Sequence, residues 1–251
     1  MTSLREVVAF LDERLEAWSY GDRSLNGLQV EGRSEVRKVA LGVSASLRLF
    51  EDAIAWGADA VIVHHGLLWE GQQRLIGPMA RRVKALLESD TSLLAYHIPL
   101  DAHPEDGNNA LLAREIGLVD VTRWGTYRGT PIGSIGRLEG ARAVDDLVAR
   151  VARVCGGEPM VLGDRSAVLG TVAICSGSAG SMIDQAVEAR ASAFVTGEPG
   201  EPAQQIAHET GIVIVGAGHY NTERLGVQAI GRRLETELGL EARFVEIPNP
   251  V

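Results

Sequence analysis

The chain has 251 residues, with 33 acidic residues against 24 lysines and arginines, which gives a formal net charge of -9. This balance argues against a broad nucleic-acid-binding surface, which would need a positive field, so nucleic acid is not an expected partner. The length suits one large domain or two small lobes, and a hydrophobic content of 45% is ordinary for a globular protein.

Cys155 and Cys175 are the two cysteines of the chain, and neither belongs to a CxxC pair. We therefore expect reduced, buried thiols in a cytoplasmic protein rather than a disulfide framework or a zinc finger. The N-terminal stretch MTSLREVVAFLDERLEAW places acids among its apolar positions, which predicts an amphipathic helix rather than a signal peptide. No apolar stretch approaches the length of a membrane span, so no membrane association is expected.

Helices and strands are predicted to alternate after this first helix and a loop over 21–32. The predicted elements of the first half are strand 36–45, helix 46–58, strand 59–66, helix 78–90, strand 92–102 and helix 108–118. Those of the second half are strand 132–139, helix 143–156, strand 159–163, strand 169–177, helix 181–191, strand 193–198, helix 202–211, strand 212–218, helix 222–239 and strand 241–250. This alternation predicts an α/β fold with mixed, largely parallel sheets covered by helices.

The reactive residue types collect where predicted strands end. His64 and His65 close one strand in VIVHHGLLW, and His97 and Asp101 close the next in HIPLD. A third stretch, GHYNTE, follows the strand at 212–218. Ligands of open α/β sheets gather beyond the carboxyl ends of the strands, so these stretches predict one functional region.

The spacing of His219 and Glu223 is i, i+4. Both side chains lie on one face if the helix has begun at His219, and both stay at the helix entrance if it begins at Asn221 or Thr222. Three histidines and two carboxylates suit a divalent metal such as Zn, Fe or Mn. Five ligands exceed what a closed tetrahedral zinc site needs and fit two metal ions sharing a bridging carboxylate.

Ordinary structural roles explain several of these residues when each is taken alone. His103 and His208 are best explained as hydrogen-bonded histidines without a metal. Asp101 could open a turn, and Glu223 could complement the helix dipole. Metal binding is favoured because the ordinary explanation needs separate coincidences at one sheet edge.

Two loops are further candidates. The Gly/Ser loop CSGSAGSMID, residues 175–184, could hold a phosphate or serve only as a tight strand-to-helix connection. In TGEPGE, Glu198 and Glu201 could approach the metals or be solvated loop acids.

Motifs along the whole chain resemble one family. NGLQV, VIVHHGLLW, HIPLDAHPEDGNN, FVTGE, GHYNTER and IPNP occur in this order between Asn26 and Pro250. Together they resemble the short bacterial form of the Nif-three-like dinuclear metal-centre family. Its members often carry the name GTP cyclohydrolase I type 2 homologue.

The resemblance implies two α/β lobes with the metal pair in the cleft between them. It also implies a homo-hexamer with the metal sites facing an inner cavity. The lobe boundary is placed in the Gly-, Thr-, Arg- and Pro-rich residues 120–134. The first lobe, 1–125 and 216–251, carries most of the metal ligands, and the second lobe is 126–215.

Carried over by motif, the metal ligands are His64, His65, Asp101, His219 and Glu223, with His97 beside them as a further ligand or an acid/base group. Similar sequences often read T-G-E-x-S-E-x-x-x-H, whereas this chain has Gly200 for the serine and Gln205 for the histidine. The role of that family histidine is therefore not transferred to His208.

The predicted function is a dinuclear divalent-metal-dependent hydrolase-like enzyme, with GTP cyclohydrolase suggested by the resemblance. In that reaction a bridging hydroxide attacks a purine-ring carbon of a small-molecule nucleotide substrate, and His97 moves protons. Because side chains of neighbouring strand residues diverge, we expect His64 and His65 to serve different metals, with Glu223 bridging them. The alternative is a non-catalytic metal-binding, metal-cofactor assembly or regulatory protein.

Overall fold

The structure is a computed structural model that describes residues 2–71, 73–140 and 142–251. The strands in chain order are β1 (Thr2–Ser3), β2 (Gly27–Val30), β3 (Glu35–Val36), β4 (Lys38–Ser44), β5 (Ala60–His65), β6 (Ser92–Ala95), β7 (Leu118–Tyr127), β8 (Thr130–Leu138), β9 (Met160–Leu162), β10 (Thr171–Cys175), β11 (Ala193–Thr196), β12 (Val213–Gly216) and β13 (Glu241–Phe244). The helices are α1 (Leu4–Leu15), α2 (Leu47–Trp56), α3 (Gly77–Glu88), α4 (Ile98–Ala102), α5 (Asn108–Glu115), α6 (Val144–Cys155), α7 (Ile183–Glu188), α8 (Ala203–Thr210) and α9 (His219–Leu238), with a 3₁₀ turn at Gly180–Met182.

The described residues divide into two compact units. The first unit is Met1–Leu100 with Gly226–Pro248, and the second is Asp101–Leu225 with Asn249–Val251. The predicted lobe boundaries, near residues 125 and 216, differ from the limits of these units, and the two lobes stay a prediction. Asp101, His219 and Glu223 lie in the second unit.

The sheet of the first unit has the strand order β13-β4-β5-β6-β2. β13, β4, β5 and β6 are parallel, whereas β2 pairs antiparallel with β6. Alternate residues of β5 enter different core clusters, with Ile62 packed among residues of α1 and α9 and Val61 and Val63 among residues of α2 and α3. A strand buried on both faces explains the continuous apolar run that leads to His64.

The sheet of the second unit has the strand order β7-β8-β10-β11-β12-β9. β10, β11 and β12 are parallel, and β8 and β9 flank them antiparallel. Val172, Val195 and Val213 pack in one buried cluster with residues of α5 and α6. The predicted α/β fold with mixed sheets is confirmed.

The segment predicted as a lobe boundary is a β-hairpin. β7 pairs antiparallel with β8. Arg128 and Gly129 join them with φ values of 47° and 85°, the positive values of a tight hairpin turn. The Gly, Thr and Arg content resembled a linker, but the alternating β-branched and aromatic residues of β7 form a strand, which ties residues 118–127 to the second unit.

Other elements also differ from the prediction. Residues 27–30 form the strand β2 inside the predicted loop, because they find a partner in β6. The strand predicted over 92–102 ends at Ala95, and α4 begins at Ile98, with Pro99 in its first turn, where proline is tolerated. Helix α9 begins at His219 rather than at residue 222.

Asp59 ties the start of β4 to the start of β5. Its Oδ2 atom accepts the backbone N–H groups of Arg37 and Lys38 at 2.8 and 3.0 Å, and its Oδ1 accepts from the Arg33 guanidinium at 2.9 Å. We expect Asp59→Ala to lower the free energy of unfolding by about 2–3 kcal/mol, because buried donors lose a charged acceptor. Urea denaturation measures this change.

The matched control is Asp52→Ala, which removes an exposed carboxylate that pairs with Arg48 one turn away on α2. Solvent screens such a pair, so Asp52→Ala should lower the free energy of unfolding much less than Asp59→Ala does. Equal destabilisation by the two variants would contradict the anchoring role of Asp59.

Candidate metal centre

The adjacent histidines at the end of β5 are held from the strands on either side. His64 is fully buried, and its Nδ1 atom lies 3.0 Å from the carbonyl oxygen of Tyr96, which follows β6. The Nδ1 atom of His65 lies 3.0 Å from Oγ of Ser44, its cross-strand neighbour on β4. A carbonyl oxygen can only accept, so Nδ1 of His64 carries the proton and Nε2 carries the lone pair that a metal requires.

The two imidazoles do not diverge as the strand geometry predicted. Their ring centroids are 4.6 Å apart, with an interplanar angle of 52°. The alternation of side chains fixes only the Cα–Cβ directions. The side-chain rotamers then bring both rings together beyond the end of β5.

His97 completes a histidine cluster, a name used below for His64, His65 and His97. The centroid of its ring lies 5.1 Å from that of His64 and 5.6 Å from that of His65. One ligand nitrogen from each of the three rings lies within 4.8 Å of those of the other two. The edge of the Trp69 ring packs against His97 with centroids 5.1 Å apart. Imidazoles this close can hold a divalent metal ion.

Asp22 binds the other side of His97. Its Oδ1 atom lies 2.8 Å from Nδ1 of His97, and its Oδ2 accepts the backbone N–H of Ile98 at 2.9 Å. Burial raises the pKa of Asp22, but the hydrogen bond and charge of His97, with hydrogen bonds from Ser24 and Asn26, outweigh burial and leave the pKa below its usual value. Asp22 is therefore a carboxylate at neutral pH.

In the second unit, the first turn of α9 joins His219 to Glu223. The Nε2 atom of His219 lies 3.0 Å from Oε2 of Glu223, as the i, i+4 spacing predicted for a helix that starts at His219. The Nδ1 atom of His219 hydrogen bonds to Oε1 of Glu198. Glu198 thus orients a predicted ligand, whereas Glu201 is exposed.

Asp101 is held by two polar side chains. Nδ2 of Asn108 and Oγ of Ser176 both donate to its Oδ1 atom, at 2.9 and 3.0 Å. Ser176 follows β10, so the Gly/Ser loop supports Asp101. A carboxylate oxygen of Asp101 and one of Glu223 lie within 4.8 Å of each other. We call Asp101, His219 and Glu223 the acidic cluster.

Gly177 makes the close packing of the acidic cluster possible. Its φ is +66°, and a Cβ atom placed on it would lie 2.2 Å from Oε1 of Glu223 and 3.4 Å from Nε2 of His219. Any other residue would push the carboxylate out of its position.

The acidic cluster carries concentrated negative charge with little access to water. Asp101 and Glu223 are only 6% and 3% exposed. Burial lowers the pKa of His219, but the hydrogen bonds and charges of Glu223 and Glu198 outweigh it and raise that pKa to about 9. Buried carboxylates this close repel each other unless a cation lies among them. Oxygen and nitrogen donors in this arrangement fit a divalent metal ion.

Two histidines outside the clusters have other partners. Nδ1 of His103 accepts the backbone N–H groups of Glu105 and Asp106 at 3.3 and 3.0 Å, which stabilises a turn. His208 is exposed on α8, 2.8 Å from the amide of Gln204. Both are hydrogen-bonded, as predicted, and that neither binds a metal stays a prediction.

Asp22, Ser44 and Ser176 were missed by sequence reasoning. Each lies in a loop or at a strand end, where no periodicity marks it, and each acts by hydrogen bonding to a residue distant in sequence. The nearest usable signal for Asp22 was its position four residues before the Asn-Gly pair of NGLQV.

The surroundings of the Gly/Ser loop do not favour a phosphate. Ser178, Gly180 and Ser181 line a cavity of about 580 Å³ whose charged lining residues are Asp184 and Glu198. Among the described lining residues there is no lysine or arginine. The helix that follows, α7, has only six residues. These surroundings favour the alternative interpretation, a strand-to-helix connection, and the choice between the two stays a prediction.

No helix within residues 2–71, 73–140 and 142–251 combines the length and the apolar character needed to cross a membrane. This agrees with the hydropathy of the sequence.

Comparisons with known proteins agree over nearly the whole chain. Residues 2–250 match the family model described as Duf34/NIF3 (NGG1p interacting factor 3). A protein of Archaeoglobus fulgidus named GTP cyclohydrolase 1 type 2 homolog is 44% identical over 98% of this chain and 99% of its own length.

Solved structures share the fold as well. Protein ybgI, described as having unknown function, superposes with a TM-score of 0.92 at 38% identity, covering 100% of both chains. TTHA1606 from Thermus thermophilus gives a TM-score of 0.91 at 36% identity, also covering 100% of both chains.

Neither cysteine should react in the folded protein. Burial raises the pKa of Cys155 to about 12, against an opposing effect of Arg224. Burial and the charges of Asp101 and Glu223 raise the pKa of Cys175 well above its usual value. Because the thiolate is the reactive form, we expect Ellman's reagent at pH 8 to titrate no thiol in the native protein and both thiols in guanidinium chloride. A thiol that reacts rapidly in the native state would contradict these assignments.

Proposed function

Because the chain belongs to the Duf34/NIF3 family, we propose that it is a dinuclear, divalent-metal-dependent hydrolase-like enzyme that acts on a nucleotide. The observation that carries the proposal is the buried acidic cluster, which brings together two carboxylates and an imidazole, the donor types that divalent metals take. The specific reaction to test is GTP cyclohydrolysis, since relatives at 38–44% identity carry that name. A cytoplasmic location and a homo-hexamer remain predictions.

The proposed metal ligands are His64 and His65 in the first unit and Asp101, His219 and Glu223 in the second. His64, His65, Asp101 and His219 each have a second group that fixes their orientation, as residues that bind metals usually do. His64 and His65 are assigned to different ions and Glu223 to both, with Asp101 on one of them. The metal, when bound, supplies Lewis acidity and a lowered pKa for water.

His97 is the proposed acid/base group. Its Nδ1 atom is bound to Asp22, and its ring lies against those of His64 and His65. It can therefore take or give a proton at Nε2 next to the proposed ligands. Trp69 packs on the same ring and limits its access to water.

A non-catalytic metal-binding protein is the second candidate. The cavity that Gly197, Glu198 and Asn221 line measures about 480 Å³, and its charged lining residues are Glu158 and Glu198. Among the described residues lining it there is no lysine or arginine to bind a triphosphate. The described acidic lining offers no phosphate-binding group of its own, which supports a protein that holds metal for assembly or regulation over one that binds a triphosphate without help from a metal.

The metal content of single variants tests the ligand assignment. After reconstitution with Zn²⁺ or Mn²⁺ and dialysis, elemental analysis should approach two ions per chain in the wild type. His64→Ala and His65→Ala should each keep one ion, because each removes a ligand of one site, whereas Glu223→Ala should weaken both sites. His208→Ala, on the exposed face of α8, should keep two.

The assignment is wrong if either histidine variant loses both ions while Glu223→Ala retains two. A wild-type plateau at one ion or none would contradict dinuclearity itself. Circular dichroism of each variant separates loss of metal from loss of folding.

Release of formate from GTP tests the reaction. We expect formate from wild-type protein that is fully loaded with metal, loss of formate on chelation, and background rates for Asp101→Asn. His208→Ala should retain the wild-type rate. Background formate from fully loaded wild-type protein would exclude GTP cyclohydrolysis and favour the metal-binding alternative.

A further inference from the structure

The loop before β2 presents a buried carboxylate that the predicted ligand set does not use. The side chain of Asp22 is only 3% exposed. Its Oδ1 accepts from Ser24 N at 3.0 Å and its Oδ2 from Asn26 Nδ2 at 2.9 Å, in addition to the bonds from His97 Nδ1 and Ile98 N. All four partners are donors, so a carboxylate is the side chain that satisfies this position.

His97 is fixed by this loop at its backbone and at its ring. Its N–H donates to Oδ1 of Asn26 at 2.8 Å, while its Nδ1 lies 2.8 Å from Oδ1 of Asp22. Asn26 in turn donates to Asp22. These bonds hold the backbone of His97 in one position and leave its ring little rotational freedom.

The partners of the three rings in the histidine cluster differ in charge. Nδ1 of His64 faces a carbonyl oxygen and Nδ1 of His65 a hydroxyl, whereas Nδ1 of His97 faces a carboxylate. A carboxylate fixes the tautomer and stabilises the imidazolium that forms when a histidine accepts a proton, which neutral partners do much less. The geometry therefore distinguishes His97 from its two neighbours.

We propose that Asp22 is the positioning residue of His97: it keeps the proton on Nδ1, so that the lone pair of Nε2 takes and returns a proton beside His64 and His65. No atom of Asp22 needs to contact the substrate. The proton-transfer part rests on the proposed function, whereas the tautomer part does not.

The tautomer is measured without any reaction. Magic-angle-spinning ¹⁵N NMR of sedimented, histidine-labelled, Zn²⁺-loaded protein resolves protonated, lone-pair and metal-bound nitrogens, and His97→Gln identifies the signal of His97. In the wild type we expect a protonated Nδ1 and an Nε2 that is not metal-bound. In Asp22→Asn the preference for Nδ1–H should be lost, because the amide cannot accept from all four donors.

Asp59→Asn is the matched control. Asp59 is also a buried carboxylate that accepts only from donors, but it lies before the start of β5, at the opposite end from His64 and His65. Asp59→Asn should lower the free energy of unfolding while leaving the NMR signals of His97 unchanged. Unchanged His97 signals in Asp22→Asn, or a metal-bound Nε2 in the wild type, would overturn the proposal.

Kinetics then test proton transfer. In Asp22→Asn we expect kcat for formate release to fall about 10²- to 10⁴-fold, as when a proton-transfer group is lost. KM and the metal content should stay near the wild-type values, and Asp22→Glu should recover part of kcat. Asp59→Asn should keep kcat. A loss of kcat matched by a loss of metal would assign Asp22 a structural role and overturn the proposal.

If the metal-loaded wild type releases no formate, the proposed function fails. The NMR comparison of wild type, Asp22→Asn and Asp59→Asn then decides the tautomer part by itself.

Discussion

The main electrostatic constraint on the second unit is a pair of carboxylates that are buried side by side. Asp101 and Glu223 approach within 4.8 Å, and each is almost fully buried. Two negative charges at this separation repel by roughly 3–4 kcal/mol at an effective dielectric constant of about 20. Folding tolerates this because Asn108 and Ser176 donate to one carboxylate and His219 contacts the other. A divalent cation would turn the remaining repulsion into attraction.

Four histidines of the candidate site follow one rule of construction. His64, His65, His97 and His219 are each bound at Nδ1 by an oxygen atom from elsewhere in the same unit. An imidazole anchored in this way presents Nε2 with a fixed direction, and less entropy is lost when it binds a metal or moves a proton. The oxygen differs from one ring to the next: a carbonyl for His64, a hydroxyl for His65, and a carboxylate for His97 and for the proposed ligand His219.

Metal binding and turnover make different demands on the protein. The clusters meet the first demand with donors that are already oriented. Turnover of a nucleotide also requires a place for the triphosphate, and the charged residues lining the two described cavities of the second unit are acidic. Divalent ions can themselves bind phosphates, so the acidic lining weighs against an unaided phosphate pocket and not against nucleotide binding at a loaded centre.

The sequence by itself determined most of the elements and the residue types of the candidate site. Apolar runs and helical spacing placed most strands and helices, and the i, i+4 spacing of His219 and Glu223 predicted the pair that α9 forms. Local patterns encode these features, because side-chain direction repeats with a fixed period in each element. Motif order also identified the family, which the comparisons confirm.

Only the tertiary structure decided which groups bind the residues of the candidate site. Asp22 binds a ring 75 positions away, and Ser176 binds Asp101 across the same distance in sequence. It also made residues 118–127 a hairpin strand, because β8 was there to pair with them. Such contacts depend on which segments folding brings together, and no local periodicity encodes that choice. The adjacent imidazoles at the end of β5 converge for the same reason: the strand fixed their backbone, and the neighbouring strands fixed their rings.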